Sequence, residues 1–174
     1  MIDITRRGDD LVIAVDGVEA TVLLDLVEQL GGMLRGRAAA VAGIELPMTP
    51  DDPALARLLP DGMRDDGEAR ALRALIEPGL VSAKLAALDA IAGTIAAPGV
   101  LDRDAERAWL TGLNDLRLTI ATRLGIEHDG DAGRGETDAD LALREVYHWL
   151  GMLQQQLLDR IEERDDATVA EGDR

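Results

Sequence analysis

Few side chains in this 174-residue sequence could do covalent chemistry. It has no cysteine, which excludes disulfides, thiolate catalysis and cysteine-ligated metals. Ser82 is the only serine, and no G-x-S-x-G turn surrounds it, so a serine hydrolase would lack its exposed nucleophile. His128 and His148 are the only histidines, and helical spacing puts His148 on a solvent face with no nucleophile beside it. The run Gly130-x-x-Gly133-x-Gly135 has neither the lysine nor the preceding strand of a phosphate loop. The acid-rich stretch His128-Asp129-Gly130-Asp131, continued by Glu136 to Asp140, raises calcium binding. Counted from Asp129, however, the fifth position is Gly133, the sixth Arg134 and the twelfth Asp140. A calcium loop wants an oxygen ligand, glycine and glutamate at those places. A solvated acidic loop is therefore expected, with no catalytic set, no metal and no cofactor.

What remains is recognition chemistry. Arg117 and Arg123 share one amphipathic stretch with Trp109. Around that helix they lie about 80° and about 40° from Trp109, at the edge of the buried stripe. A half-buried guanidinium needs a carboxylate or carbonyl partner. The expected partner is an internal acid such as Asp52 or Asp115, and the alternative is an anion or peptide-carboxylate site. Arg57, on a short helix, joins these candidates. Trp149 and Tyr147 flank the apolar ridge of the last helix, where one of them can anchor a partner, although core packing is the first expectation for Trp149. The acid pairs Asp51/Asp52 and Asp65/Asp66 are accounted for as helix caps.

These residues need helices to hold them. Trp109, Leu113, Leu116, Ile120 and Leu124 step by three or four and predict a central helix over 102–126. Asp102 is its N-cap, and Gly125 with Ile126 forms its Schellman ending. Leu110, Leu118 and Ala121 lie off the stripe, so the helix should be covered from more than one side. Upstream, residues 2–6 and 11–15 alternate as a β-hairpin around Gly8-Asp9-Asp10, which should pack on a helix or gain a third strand. A first helix is expected over 18–35, weakened by Gly31-Gly32, then a loop over 36–50. Asp52, Pro53 and Pro60 bracket a short helix of about two turns. A capping box at Asp65 and Glu68 opens a helix over 66–77. Pro78-Gly79 breaks or kinks it before a further helix to Ala96. Residues 127–140 read as a flexible segment. A last helix capped by Thr137 and Asp140 runs to about Glu163 with heptad spacing from Leu143 to Ile161. That stripe serves either a bundle or a homodimer seam across 138–163.

Composition narrows the classes further. The chain is 47% hydrophobic but only 2% aromatic, so the core must be aliphatic and the fold mainly α. Net charge is −16, which disfavours duplex nucleic acid and anionic membrane surfaces. The N-terminus lacks a signal peptide's pattern, and no apolar run is expected to reach the roughly 20 residues of a membrane span. The cytoplasm is the default location.

Four stretches carry a resemblance: Asp52–Asp61, the Leu80–Leu85 region, Trp109–Leu118 with Thr122–Gly125, and Tyr147–Gln154. Together the chain resembles the actinobacterial domain-of-unknown-function family two thousand seventeen, over roughly residues 1–163. The resemblance implies a cytoplasmic protein, commonly encoded beside the Clp protease adaptor and near genes of cysteine synthesis. Some members carry a transcriptional-regulator label. It supplies no catalytic residues.

The expectation is thus one mainly α domain over 1–163, a bundle of about five longer helices and a short one. The hairpin packs on it, and a disordered acidic tail covers 164–174. The expected role is non-enzymatic protein–protein contact, with an unidentified protein partner, as a regulator or adaptor linked to Clp proteolysis or cysteine and sulfur metabolism. A transcriptional regulator and a carboxylate-based metal protein or enzyme are the alternatives.

Overall fold

Alternation of apolar residues along the N-terminal strands produces a small sheet rather than a lone hairpin. In the computed structural model, which describes residues 2–97, 99–128, 131, 133–135 and 137–172, with 168–172 by backbone only, β1 (Ile2–Arg7) pairs antiparallel with β2 (Asp10–Val15). Ile4 faces Ile13 in that register, and both are buried, as are Leu11 and Val15. A third strand, β3 (Gly99–Leu101), adds to the other edge of β2 with Leu11 opposite Leu101. The apolar Val100-Leu101 pair, just before the Asp102 cap, supplies the strand that the hairpin needed.

Four long helices and a short one complete the fold, which is mainly α. The first, α1 (Gly17–Val41), continues through Gly31-Gly32 and past residue 35, so residues 36–41 of the loop expected over 36–50 are helical. Leu30 and Leu34 bury the face on either side of the glycines, and Ala38, Ala39 and Ala40 are strong helix formers. The short α2 (Pro53–Leu58) is capped by Asp52, whose side chain accepts from the N–H groups of Ala54 and Leu55 at 2.9 and 3.0 Å. Helix α3 (Asp66–Ala96) crosses Pro78 without a break and joins the two segments expected on either side of it. Proline removes one hydrogen bond, but Val81, Leu88 and Ile91 just beyond it are buried, and that packing holds the helix on course. By length and composition α3 also contains a stretch apolar enough to cross a membrane, contrary to the expectation of none.

Helix α4 (Arg103–Leu124) is the central element. Asp102 accepts from Asp104 and Ala105 at its start. At its end Gly125 adopts φ 68°, Ile126 donates to the Ala121 carbonyl at 2.8 Å, and Gly125 donates to Thr122 at 3.2 Å. That pair of bonds is the Schellman ending. Trp109, Leu113, Leu116, Ile120 and Leu124 are all buried, and the indole N–H of Trp109 donates to Thr94 Oγ1 at 3.2 Å. Gly112 sets the distance to α3, because a Cβ there would stand 2.6 Å from Ile91 Cδ1.

The last helix, α5 (Asp138–Gly172), begins at the predicted box: Thr137 N–H donates to Asp140 Oδ2, and Asp140 N–H to Thr137 Oγ1, both at 3.2 Å. Leu150, Leu153 and Leu157 are buried, while Leu141 and Met152 are exposed. The helix does not end at Glu163. Arg164, placed by sequence in a disordered tail, is 1% exposed and forms a two-pronged ion pair with Glu106 of α4, its Nη2 3.1 Å from Oε2. The cause is tertiary, since this buried charge pair holds α5 to α4 beyond the heptad stripe that ends at Ile161. Residues 173 and 174, the rest of that tail, lie outside the described residues.

Deleting residues 164–174 should therefore destabilise the fold by about 3 kcal/mol, because Glu106 loses its two-pronged partner and keeps only the more exposed Arg103, 3.9 Å away. Thermal unfolding of the truncated chain checks this, and Glu106→Gln in the same background should recover part of the loss. A truncation that melts like the full chain would contradict the packing described.

Candidate functional site

The structure separates the seven candidate residues. Asp52 is a helix cap, and Asp115 is buried in an ion pair with Lys84, whose Nζ lies 2.8 Å from Oδ1. Neither meets Arg117 or Arg123, so the expected internal salt bridges do not form. Arg123 is exposed, and its Nη2 lies 3.4 Å from Met33 Sδ on α1. Trp149 is half-buried in an open depression with Val18, Val22 and Val146. Arg117, Arg57 and Tyr147 do come together. The acidic segment in which a metal loop was weighed includes Asp129, Gly130 and Glu136, which lie outside the described residues.

Arg117, Arg57 and Tyr147 line a cavity of about 180 Å3 between α2, α4 and α5, together with Asn114, Leu118, Ala121, Ile126, Glu127 and His128. Arg117 reaches it across Gly151 of α5, where a Cβ would stand 3.4 Å from the guanidinium carbon. Its Nη1 donates to Gln154 Oε1 at 2.8 Å and its Nη2 to the Tyr147 hydroxyl at 3.5 Å. The guanidinium carbon sits 5.1 Å from the centre of the Tyr147 ring, a cation–π distance. Arg57 donates to the Ile126 carbonyl at 3.1 Å. Among the described residues, every partner these two cations have is neutral.

The remaining buried ions were not foreseen. Arg73 and Glu77 on α3 are both under 5% exposed. Glu77 accepts from Arg37 of α1 at 2.7 Å and from Arg73 at 3.1 Å, and Arg73 also holds the Leu59 carbonyl and Asp61. Burial raises the Glu77 carboxyl, but the hydrogen bonds from Arg37 and Arg73 outweigh it and hold the group below its ordinary range. At Asp115 burial prevails over Lys84, and the carboxyl is pushed up. The Arg73/Glu77 spacing of four residues on a helix was the signal available. Its burial was not.

Beside this cluster, the end of α1 and α3 enclose an apolar groove of about 500 Å3, lined by Val41, Ile44, Pro47, Val81 and Leu85. Ala74 and Pro78 also line it, and proline has no N–H to give the Ala74 carbonyl. Ile44, Leu46, Met48, Ile76 and Leu80 are exposed around the same end of the molecule, a concentration of apolar side chains that solvent alone does not explain.

Comparison with known proteins places the chain. The profile of the family described as a domain of unknown function (DUF2017) matches residues 1–161, and the chain belongs to that family. It is 31% identical to the oxidative stress regulator AosR of Mycobacterium tuberculosis, over 88% of this chain and 83% of the relative. It is 30% identical to the putative oxidative stress regulator AosR of Mycobacterium leprae, over 80% and 77%. No solved structure matches.

The Lys84–Asp115 pair generates a pH-dependent expectation. Lys84→Met should cost about 3 kcal/mol near pH 7, because Asp115 is left buried and unpaired. Asp115 then holds a proton in the folded chain at pH values where the unfolded chain, near its ordinary 3.8, releases it. The deficit against wild type must therefore shrink as pH falls through the raised folded-state value. Denaturant unfolding at several pH values checks the sign, and adding Asp115→Asn should remove the pH dependence of the deficit.

Proposed function

We propose that this member of the DUF2017 family is a non-enzymatic regulator that works by docking a partner protein on the apolar groove between α1 and α3. The groove with its exposed rim is the observation that carries the reading. Its occupant is an amphipathic helix with basic flanks: the groove takes the apolar face, and a chain of net charge −16 attracts the flanks. The names of the mycobacterial relatives support a regulatory role. The family resemblance makes the Clp adaptor the first partner to try, with cysteine and sulfur metabolism as the context.

The chain brings one chemical constraint to any response to oxidants. It has no thiol, so disulfide switching is closed to it. An oxidant would act on the partner or on exposed methionines such as Met48 and Met152.

The test compares wild type with Ile44→Asp/Leu46→Asp as bait in capture from native lysate. Both side chains are 51% exposed, so the variant should melt within about 0.5 kcal/mol of wild type. Wild type should retain a stoichiometric partner that the variant loses. Equal capture by both moves the contact elsewhere, and sequence-selective DNA binding in a low-salt mobility shift overturns the reading in favour of a transcription factor.

A further inference from the structure

We propose that the cavity between α2, α4 and α5 binds a small carboxylate through Arg57 and Arg117. Arg37, Arg73, Lys84 and Arg164 have their charged ends inside the fold, and each meets a carboxylate from another element. Arg117 is half-buried and meets only an amide oxygen, a phenol and an aromatic face, and its Nε is buried with no hydrogen-bond partner. Arg57 opens into the same space with a single carbonyl partner. Among the described residues these two guanidinium groups have no acid partner, and in a chain of net charge −16 they form a site open to an anion.

The lining sets the ligand class. A volume of about 180 Å3 lies below the roughly 300–1,000 Å3 of pockets for drug-sized ligands and suits a short acid. Leu118 and Ala121 offer an apolar wall for a short hydrocarbon body, and the planar guanidinium fork matches a carboxylate. Glu127 on the rim and the negative charge of the whole chain penalise each further negative charge, which disfavours phosphate. The carboxylate belongs either to a free small acid or to the end of a peptide. The site is separate from the α1/α3 groove and does not rest on its role.

Tyr147 is the only tyrosine, so the full chain labelled with 3-fluorotyrosine gives one fluorine resonance inside the cavity. Titration with butyrate should shift it saturably, with a dissociation constant of about 1 mM or tighter, and butyramide should not. Arg57→Gln, at an exposed side chain that leaves the fold intact, should weaken butyrate at least tenfold. Arg117→Gln should do the same, its folding checked by melting. Acetyl-alanyl-alanine binding tighter than butyrate assigns the carboxylate to a peptide end, and weaker binding assigns it to a free acid. Ile44→Asp/Leu46→Asp should leave the shift unchanged, which separates this site from the docking groove. The proposal is overturned by any of four results: no saturable shift up to roughly 50 mM butyrate, an equal shift with butyramide, tighter binding of inorganic phosphate, or butyrate binding unchanged in Arg57→Gln.

Discussion

Removing a charge from water costs several kcal/mol unless an opposite charge comes with it, and that constraint sets the register of this bundle. Among the described residues, the buried charged side chains Arg73, Glu77, Glu106, Asp115 and Arg164 are each ion-paired, and each has at least one partner outside its own helix. Lys84 and Asp115 tie α3 to α4, Glu106 and Arg164 tie α4 to α5, and Glu77 with Arg37 ties α3 to α1. Aliphatic side chains of similar size can slide past one another at modest cost. A helix that slid by one turn here would strand a buried ion. With only 2% aromatic residues, the core has few large shapes to fix its packing, and the ion pairs take on that role.

The same constraint gives meaning to the place where it is not met. Arg117 crosses from α4 over Gly151 toward Gln154 and Tyr147 and finds neutral partners. Arg57 arrives from α2 and is held by a carbonyl at the end of α4. Three elements thus converge on one cavity with positive charge to spare, in a strongly acidic protein. Elsewhere, the end of α1 and the proline-bearing stretch of α3 leave an apolar groove that shares no lining residue with this cavity. The chain carries no thiol, and the two proposed contacts use these two surfaces.

Much of the architecture was legible in local spacing. The stripe from Trp109 to Leu124, its Asp102 cap and its Gly125 ending follow from periodicity and from the left-handed conformation that glycine tolerates, and the hairpin follows from alternation. The misreadings share a cause. Gly36, Pro78 and the polar run after Glu163 each weaken a helix locally, yet the helix continues because residues beyond pack against or pair with another element, as Arg37 does with Glu77 after Gly36. Val81 and Leu88 do this after Pro78, and Arg164 does it after Glu163. Local propensities of about 1 kcal/mol for glycine, or one lost hydrogen bond for proline, are smaller than the burial that opposes them.

The candidate site divides along the same line. Residue type and helical position marked Arg117, Arg57 and Tyr147 as candidate recognition groups, and the lack of cysteine removed thiol chemistry. Those conclusions depend only on which atoms the chain carries and on the angle between residues along one helix. Which acid meets which base is a different kind of fact. Asp115 pairs with a lysine 31 positions away and Glu106 with an arginine 58 positions away, separations over which one-dimensional spacing holds no information. Only the packing of α3 and α5 against α4 decided that these acids are taken and that Arg117 is left facing a cavity.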